Sequence, residues 1–355
     1  MQLYVLNSDL AAEKVVDEVF NLQWTERYDS DSTIELEVPN TAAYRSLLRE
    51  NVILMIDESD IPMVIETVRI KKSGKKKHWY VSGRDLTSWM ELRVAGYDRS
   101  IQATRVSDIA LRIINEQIIN PNNPNDKIPN LKSVLNNATD GAKFDYESLN
   151  DDLLSDVRAI LKDNNCSVRC VRTGSMGSYQ FTYRIYNGVK KNVSFNDKDD
   201  TLINSQYIRS VKKWRGQCAV RYKASNKEDA KTLTYQVYAN GGSAGASGLN
   251  RRTIQVDANI NPADYPGTRL NTALDRIGRA ALAKARKIEA IDGEIPSYTS
   301  AKYGRTADYF LGDLVTFRSD ATTATQARVT AFTWSIDSSG FKKYPTIDIT
   351  ADVSV

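Results

Sequence analysis

The sequence predicts a β-rich α+β protein in which two similar β regions are separated by a smaller α+β segment. Three observations predict it: apolar residues alternate over much of residues 20–99 and 201–355, helical patterns interrupt residues 100–200, and the order of elements recurs. We therefore expect a first half-open β-barrel domain over residues 1–99, an α+β insert over residues 100–200, and a second β-barrel domain over residues 201–355.

The first β region combines alternating strands with one short helix. Leu22, Trp24, Glu26 and Tyr28 share one side of an alternating strand, before the turn Asp29–Ser32. The other predicted elements are a strand over Thr33–Val38, a helix over Ala42–Glu50 capped by Pro39-Asn40-Thr41, a buried strand over Val52–Ile56, and strands over Met63–Lys72 and Lys76–Gly83 around Ser73-Gly74.

The insert is predicted from two amphipathic helices and a strand pair. Apolar residues recur at helical spacing in both helical segments, and the prolines and asparagines between them forbid regular structure. The predicted elements are helices over Val106–Ile119 and Leu149–Asp163, a loop over Asn120–Pro129, and strands over Cys166–Val171 and Tyr179–Tyr186 across the turn Gly174–Gly177.

The second β region adds the longest predicted helix, over residues 270–291. Its apolar stripe consists of Ala273, Leu274, Ile277, Ala281, Ile288 and Ile291. The predicted strands are Tyr207–Trp214, Cys218–Lys223, Thr232–Tyr238, Leu314–Phe317, Ala327–Ile336 and Lys343–Ile349, and Asn240–Gly248 is predicted to be a flexible loop.

The two β regions align with each other around two glycines. With Gly74 placed on Gly340, identical or similar residues coincide without gaps; the matched pairs are Thr67 with Thr333, Ile70 with Ile336, Ser73 with Ser339, Lys76 with Lys342, Lys77 with Lys343 and Val81 with Ile347. Further upstream, after a four-residue difference in length, Asn51-Val52-Ile53 aligns with Asp313-Leu314-Val315, and a helix precedes each segment. The alternative explanation is that β-hairpins with Ser-Gly turns resemble one another because few residues suit such turns.

The composition excludes several classes of protein. The chain has 355 residues, with 48 Lys and Arg against 44 Asp and Glu, so its net charge of +4 does not by itself imply a nucleic-acid coat. No apolar run approaches the roughly 18 residues of a membrane span, and the N-terminus lacks a signal pattern. Three cysteines cannot all pair, and one histidine disfavours most metal-dependent and histidine-based catalysis.

The residues that could carry chemistry all have a simpler structural interpretation. His78 could be a general base, but it lies among lysines, and we interpret it as an exposed hairpin residue. Cys166 and Cys170 share one side of a strand without the further ligands of a metal site, so with Cys218 we expect them to be buried, reduced thiols.

The charged clusters and the glycine-rich loop are also ambiguous. Carboxylates at Asp145–Asp156 and Asp197–Asp200 could hydrolyse glycosides, but turns or helix N-terminal charges explain them as well. The basic tip formed by Lys71, Lys72, Lys75, Lys76 and Lys77 could be solvated, contact an acidic neighbouring subunit or bind nucleic acid. The loop Gly241–Gly248 lacks the ending of a phosphate-binding loop. We therefore assign no catalytic, cofactor-binding or metal-binding residue, and the binding residues stay unassigned.

Three segments resemble the tail hub proteins of long-tailed bacteriophages and prophages. The resemblance rests on Tyr309–Val315, Ala327–Trp334 and Tyr344–Ile347 at the C-terminal end, and on Val52–Ile56 with Gly83-Arg84-Asp85 in the first region. It covers most of the chain as an order of elements, and the Leu-Gly-Asp-Leu-Val stretch is its most specific motif. The family implies two tail-tube-like β-barrel domains per chain, related as an internal repeat.

The resemblance implies a structural role without enzymatic activity or a cofactor. Three copies would form a pseudo-sixfold ring at the virion tail tip or baseplate, assembled in the host cytoplasm, that joins the tail tube to the tip and lets DNA pass during genome ejection without sequence-specific binding. The implied partners are the tail tube, distal tail, tape measure and fibre or tip proteins, with no stable membrane insertion. The alternatives are an envelope carbohydrate-active hydrolase and a β-rich adhesin or nucleic-acid-binding module.

Overall fold

The computed structural model describes residues 1–348 in fifteen stretches. The residues between and after those stretches are 7–11, 74–75, 95–99, 129–130, 140–142, 148–151, 163, 175–178, 197–200, 228, 240–242, 297–300, 305–306, 320–321 and 349–355. Parts of the predicted turns at Gly74 and Gly177, and the carboxylates Asp197–Asp200, lie outside the described residues. Among those that are described, no helix has both the length and the apolar character to cross a membrane.

The described residues contain twenty-one strands and four α-helices. The strands are β1 (Leu3–Leu6), β2 (Ala12–Val15), β3 (Asn21–Arg27), β4 (Thr33–Pro39), β5 (Ile53–Ile56), β6 (Met63–Ser73), β7 (Lys76–Asp85), β8 (Ser100–Arg105), β9 (Leu131–Asn136), β10 (Lys143–Glu147), β11 (Cys166–Thr173), β12 (Gln180–Asn187), β13 (Lys190–Asn196), β14 (Ile203–Ser210), β15 (Gln217–Lys223), β16 (Thr232–Tyr238), β17 (Thr253–Asp257), β18 (Ile288–Glu294), β19 (Leu314–Ser319), β20 (Thr322–Asp337) and β21 (Gly340–Asp348). The helices are α1 (Ala42–Leu47), α2 (Val106–Ile114), α3 (Leu153–Lys162) and α4 (Arg269–Lys284). The protein is therefore β-rich with few helices, as predicted.

Thirteen of the strands form one sheet that contains the same five-stranded arrangement twice. In the first unit, the strand order across the sheet is β3-β4-β7-β6-β5; in the second unit it is β14-β18-β21-β20-β19. All pairings within both units are antiparallel. Each unit thus consists of a strand pair followed by a single strand and a long hairpin.

Local irregularities recur at matching positions of the two units. The hairpin of the first unit has a β-bulge directly after Ile65, and that of the second unit has one directly after Val329. Ile65 O accepts from Asn51 N–H at 2.8 Å, and Val329 O accepts from Gly312 N–H at 2.7 Å. Asn51 and Gly312 both have positive φ angles, of 66° and 86°.

These pairings correct the sequence alignment of the two regions. Ser73 pairs with Lys76 in the first hairpin and Asp337 pairs with Gly340 in the second, so Gly340 corresponds to Lys76 and not to Gly74. The alignment is displaced by two residues because a two-residue turn can be filled by several small or polar residues. The turn of the second hairpin therefore lies at Ser338-Ser339.

A direct strand pairing joins the two units. Strand β3 of the first unit pairs with β20 of the second, which places Trp24 opposite Trp334. Both indoles are almost fully buried in a core that contains residues from both units. The two β regions consequently share one hydrophobic core, which aromatic side chains dominate where the units meet.

Neither unit closes into a barrel within the described residues. The sheet path ends at β2 on one side and at β14 on the other, and each of these strands pairs with a single neighbour. A closed barrel requires its first and last strands to be paired. The predicted β-barrels are therefore open, twisted-sheet units in the single chain.

Two α+β modules are attached to this sheet. In the first, α2 and α3 pack with β11 and β12 in a core that also contains Leu86 and Met90 after β7. In the second, α4 covers the small sheet β16-β15-β17. The second module is inserted between β14 and β18, the first two strands of the second unit.

Two predicted elements of the second region differ from the structure. The helix predicted to extend to Ile291 ends at Lys284, and Ile288–Glu294 is strand β18, paired on both sides. The predicted helical stripe failed there because a three-residue spacing of isoleucines cannot by itself exclude a strand. The strand predicted over Tyr207–Trp214 runs instead over Ile203–Ser210, because Trp214 donates its backbone N–H to Val211 O in a turn.

Candidate interaction surfaces

A buried polar cluster lies where the two units meet. Glu26 of β3 is fully buried and accepts hydrogen bonds from the Ser59 hydroxyl, from the Tyr303 hydroxyl at 2.6 Å and from the Trp24 indole at 3.3 Å. Burial raises the pKa of Glu26 to about 7, and the hydrogen bonds from Ser59 and Tyr303 oppose this rise. A carboxyl group in this place makes the junction sensitive to pH.

A second buried cluster connects the first unit to the insert. Arg169 of β11 is 1% exposed and donates to the Ser32 hydroxyl at 2.6 Å; Asp85 lies 3.9 Å from its guanidinium. Asp85 in turn accepts from the backbone N–H groups of Ser32 and Thr87, at 2.7 and 2.8 Å. These contacts run between β11 of the insert and residues of the first unit. We call a buried polar cluster of this kind, which connects two parts of the chain, a polar joint.

Two of the uncovered strand edges of the large sheet belong to β14 and to the outer part of β6. Among the described residues, β14 pairs only with β18, and residues 67–72 of β6 pair only with β7. Both edges carry exposed isoleucines: the side chain of Ile70 is 55% exposed and that of Ile208 is 39% exposed. An unpaired edge with exposed apolar side chains is a surface on which another strand can be added.

The basic tip is partly described. Lys71, Lys72 and Lys77 are exposed near the end of the β6–β7 hairpin. The Lys71 ammonium lies 5.5 Å from the centre of the Tyr80 ring and the Arg69 guanidinium lies 4.1 Å from it. The tip thus borders the uncovered edge of β6, and Lys75 lies outside the described residues.

His78 is not the exposed residue that the sequence predicts. Its side chain is 17% exposed, contacts the Glu37 carboxylate through Nδ1 and lies 4.8 Å from the ring of Phe20. Strand β4 runs beside β7 and brings Glu37 next to His78, which neighbouring sequence could not reveal. This packing holds His78 within the sheet.

The cysteines are buried free thiols, as predicted. Cys166 and Cys170 lie on β11 in the core of the insert, and Cys218 lies in the core of the small α4 module. Burial raises the pKa of the Cys170 thiol well above its usual value. Among the described residues, no three His, Cys, Asp or Glu side chains are placed to hold a metal ion.

The first carboxylate cluster includes a buried ion pair. Asp156 of α3 is fully buried, pairs with Arg276 of α4 and accepts from the Tyr146 hydroxyl. The sequence predicts a solvated or helix-terminal charge; Asp156 does lie in the first turn of α3, but it is buried together with Arg276 and is not solvated. Asp152 does cap α3, since its carboxylate accepts from Ser155 N–H at 2.8 Å.

Gly312 in the Leu-Gly-Asp-Leu-Val stretch and Gly340 at the start of β21 have positive φ angles, of 86° and 110°. A side chain at Gly312 would overlap the ring of Tyr28, whereas the space around Gly340 is open. The loop Asn240–Gly248 is described from Ser243 onwards and contains no strand or α-helix there.

The sequence did not reveal the uncovered edges or the polar joints. The predicted bounds of β14 are displaced. In the polar clusters, Ser59 and Tyr303 are 33 and 277 residues from Glu26, and Ser32 is 137 residues from Arg169. One signal was present: Glu26 lies on the same side of the strand as the buried residues Leu22, Trp24 and Tyr28, so a buried carboxylate could be expected.

Comparisons with known proteins give one family model that matches almost the whole chain and solved structures of similar fold. A family model described as Siphovirus ReqiPepy6 Gp37-like protein matches residues 2–347. No curated protein matches the chain. The 43 kDa tail protein of prophage MuSo2 from Shewanella oneidensis is 11% identical, with a TM-score of 0.58 over 98% of each chain. A tail protein from Neisseria meningitidis MC58 is 12% identical, with a TM-score of 0.58 over 99% of this chain and 98% of that one. At these identities the likeness concerns the fold.

Proposed function

Since the chain belongs to the Siphovirus ReqiPepy6 Gp37-like family of phage tail proteins, as the sequence resemblance suggested, we propose that it is a structural tail hub. In this proposal three copies form a pseudo-sixfold ring at the tail tip or baseplate. The ring joins the tail tube to tip proteins and lets DNA pass without reading its sequence. The protein acts as a scaffold and not as an enzyme.

One observation carries this proposal: the same five-stranded arrangement occurs twice in each chain and is joined by the pairing of β3 with β20. Two similar units in one chain allow a threefold assembly to present six similar units, which matches a sixfold tube on one side and threefold structures on the other. The matched bulges after Ile65 and Val329 support the interpretation as an internal repeat.

We propose that residues 1–99 and 201–355 are the two tube-like domains and that residues 100–200 are a peripheral insert, whose last strand, β13, attaches it to β19 of the large sheet. Within residues 201–355, the strands of the large sheet would form the wall of the tube. The module of α4 with β15, β16 and β17 would lie outside the wall, because it is inserted between β14 and β18 and has its own core. The implied partners are tail tube, distal tail, tape measure and fibre or tip proteins.

The test is native mass spectrometry over a concentration series, together with negative-stain class averages of the full chain. We expect a homotrimer and threefold rings with six similar lobes around a central hole. Rings of another symmetry, or a monomer at every concentration with and without the tail tube protein, contradict the proposal. Assembly in the host cytoplasm and the position at the tail tip are tested by immunogold labelling of virions, with label expected at the end of the tail.

A further inference from the structure

We propose that β14 of one copy adds to the uncovered edge of β6 in a second copy, in antiparallel register, with Tyr207 opposite Ile70. This inference rests on the proposed ring and names the contact that would close it. It follows from one comparison within the chain, in which the corresponding strands β3 and β20 are already paired.

The first step is the correspondence of the strands. β14 and β3 are the outermost strands of their units in the sheet order, and β6 and β20 are the first strands of the two hairpins. The residues before the two bulges, Ile65 and Val329, are taken as equivalent. Following the paired residues from strand to strand then makes Tyr207 equivalent to Trp24, and counting along the hairpins makes Ile70 equivalent to Trp334. The pairings used are Trp24–Ile34 and Ile34–Gly83 in the first unit, Tyr207–Ile291 and Ile291–Ile347 in the second, and the bulges after Ile65 and Val329.

Second, within the described residues the edges of β6 and β14 are uncovered at the places where the corresponding strands β20 and β3 are paired. In the second unit, β19 pairs with β20 between residues 322 and 328, and residues 331–336 of β20 pair with β3. In the first unit, β5 pairs with Met63 and Val64 only, which leaves residues 67–72 uncovered at the corresponding place. β14 likewise has one neighbour among the described strands. Among the described strands, β6 thus offers an unfilled position of the β20 kind and β14 an unfilled position of the β3 kind, as a head-to-tail contact requires.

The third step is burial. β3 shows the pattern of a covered strand, with Leu22 and Trp24 completely buried, whereas most residues of β14 are exposed. Ile70 and Ile208 are 55% and 39% exposed, although both lie in strands of the large sheet. Pairing would bury both isoleucines and satisfy the backbone groups of both edges.

The register follows without further assumptions. Thr333 lies opposite Thr25 and Ile336 opposite Leu22 in the pairing within the chain. Carried to the second copy, the same register places Thr67 opposite Ser210, Ile70 opposite Tyr207 and Lys72 opposite Ser205. Three such contacts close a ring of six units, because the contact between copies repeats the contact within each copy.

The decisive experiment is disulfide cross-linking of the full chain with Ile70→Cys and Tyr207→Cys. Directly opposed residues of an antiparallel pair have Cα atoms about 4.5–5.5 Å apart, within the range that a disulfide spans. After mild oxidation with oxidised glutathione, we expect covalent dimers and trimers on a non-reducing gel. The matched control, Ile70→Cys with Ile203→Cys, places the thiols four residues out of register and should give none, as should each single substitution.

A second variant tests the surface without a new cysteine. Ile70→Glu changes an exposed side chain and should leave the monomer folded, while a charge in the contact should raise the dissociation constant of the trimer at least about tenfold. Leu135→Glu is the control, since Leu135 is 44% exposed on β9 in the insert, and trimer formation should be unchanged. Backbone amides of residues 67–72 and 203–210 should exchange more slowly in the wild-type trimer than in Ile70→Glu.

The outcomes separate this inference from the proposed function. A wild-type trimer that lacks the Ile70–Tyr207 cross-link, and whose residues 67–72 and 203–210 exchange as fast as in Ile70→Glu, overturns the strand pairing and leaves the ring intact. A wild-type chain that never forms a trimer overturns the ring, and the proposed contact falls with it. Cross-linked trimers together with the tenfold effect of Ile70→Glu support both.

Discussion

The two five-stranded units have the same strand order but differ in what covers their outermost strands. In the first unit β3 is covered by β20, and its side chains Leu22, Trp24 and Glu26 are completely buried. In the second unit β14 occupies the corresponding place without a further neighbour among the described strands, and it is mostly exposed. The same position is thus a core strand where the chain supplies its partner and a surface strand where it does not.

The units also differ in the connection between their first two strands. A short turn over residues 28–32 connects β3 with β4, whereas a complete α+β module lies between β14 and β18. The module has its own small core around Leu274 and Leu282, so it adds to the unit without disturbing the shared sheet. Insertions are tolerated at exposed strand connections and not at the joint between the units.

The largest effect is expected where the positive-φ position of the second unit contacts the first unit. Gly312→Val combines a strained φ of 86° with an overlap on the Tyr28 ring. We expect a loss of about 5 kcal/mol in the free energy of unfolding, from backbone strain and overpacking together. The measurement is urea denaturation followed by tryptophan fluorescence, with expression in the soluble fraction as a second readout.

The matching residue of the first unit is the control. Asn51 has a φ of 66° but its side chain is exposed, so Asn51→Val adds strain without overlap. We expect a loss of about 2 kcal/mol for that substitution. Equal losses of unfolding free energy at the two positions would mean that the overlap with Tyr28 adds nothing to the strain of the local backbone conformation.

The next effect compares the matching residues Trp334 and Ile70. Trp334 is 2% exposed between Tyr303 and Phe332, with ring centres at 5.3 and 4.7 Å, so Trp334→Ala should cost about 4 kcal/mol in the free energy of unfolding. Ile70→Ala removes an exposed side chain and should cost at most about 0.5 kcal/mol in the monomer. A large loss for Ile70→Ala in the monomer would show that the edge of β6 is already covered within the chain.

The pH dependence of stability tests the buried carboxyl group at the joint. Burial raises the pKa of Glu26 from an ordinary value of 4.5 to about 7 in the folded chain, so the folded state binds more protons than the unfolded state between these values. Its contribution is therefore fully present below about pH 4.5 and is lost as the pH rises to 7. The expected loss is about 3 kcal/mol over that interval.

The control for this titration is Glu26→Gln, which keeps the size of the side chain and cannot ionise. The difference in unfolding free energy between the wild type and Glu26→Gln should change by about 3 kcal/mol from pH 4.5 to pH 8, with the wild type losing stability. Other carboxylates titrate in both proteins and cancel in this difference. A difference that is constant with pH would mean that Glu26 keeps an ordinary pKa in the folded state.

The sequence predicts the two long antiparallel hairpins of the large sheet and misses the parallel pairings. The strands β6, β7, β20 and β21 were predicted because alternation and short turns are local signals. Each parallel pair contains a strand that was not predicted: β9 beside β12, β13 beside β19 and β17 beside β15. A parallel partner lies far away along the chain and has no turn signal, so a short polar strand of this kind gives no local pattern.

The polar joints escaped prediction for a related reason. Asp156 belongs to an acidic segment that is typical of solvated residues, and its partner Arg276 comes from α4, 120 residues further along the chain. The buried thiols were predicted because a cysteine within an apolar strand is itself a core residue. Burial that follows from a residue's own strand can be read from sequence, while burial that depends on a distant element cannot.

Among the contacts to be broken, the smallest loss of stability is expected for an ionic network on the surface of the first unit. Arg84 of β7 donates to Glu66 at 3.0 Å and to Glu91 at 2.7 and 2.8 Å, and it lies 3.1 Å from Asp31. The side chains of Glu66 and Glu91 are 36% and 37% exposed, so water can solvate them when the guanidinium is removed. Arg84→Ala should therefore cost only about 1 kcal/mol in the free energy of unfolding.

This small loss should depend on salt, unlike the loss for Trp334→Ala. At an ionic strength of 1 M the screening length falls to about 3 Å, and most of the effect of Arg84→Ala should disappear. Arg84→Lys keeps the charge without the two-pronged geometry and should recover about half of the loss. A loss of about 4 kcal/mol for Arg84→Ala that persists in 1 M salt would mean that this network is a structural joint comparable to the aromatic contact between the units.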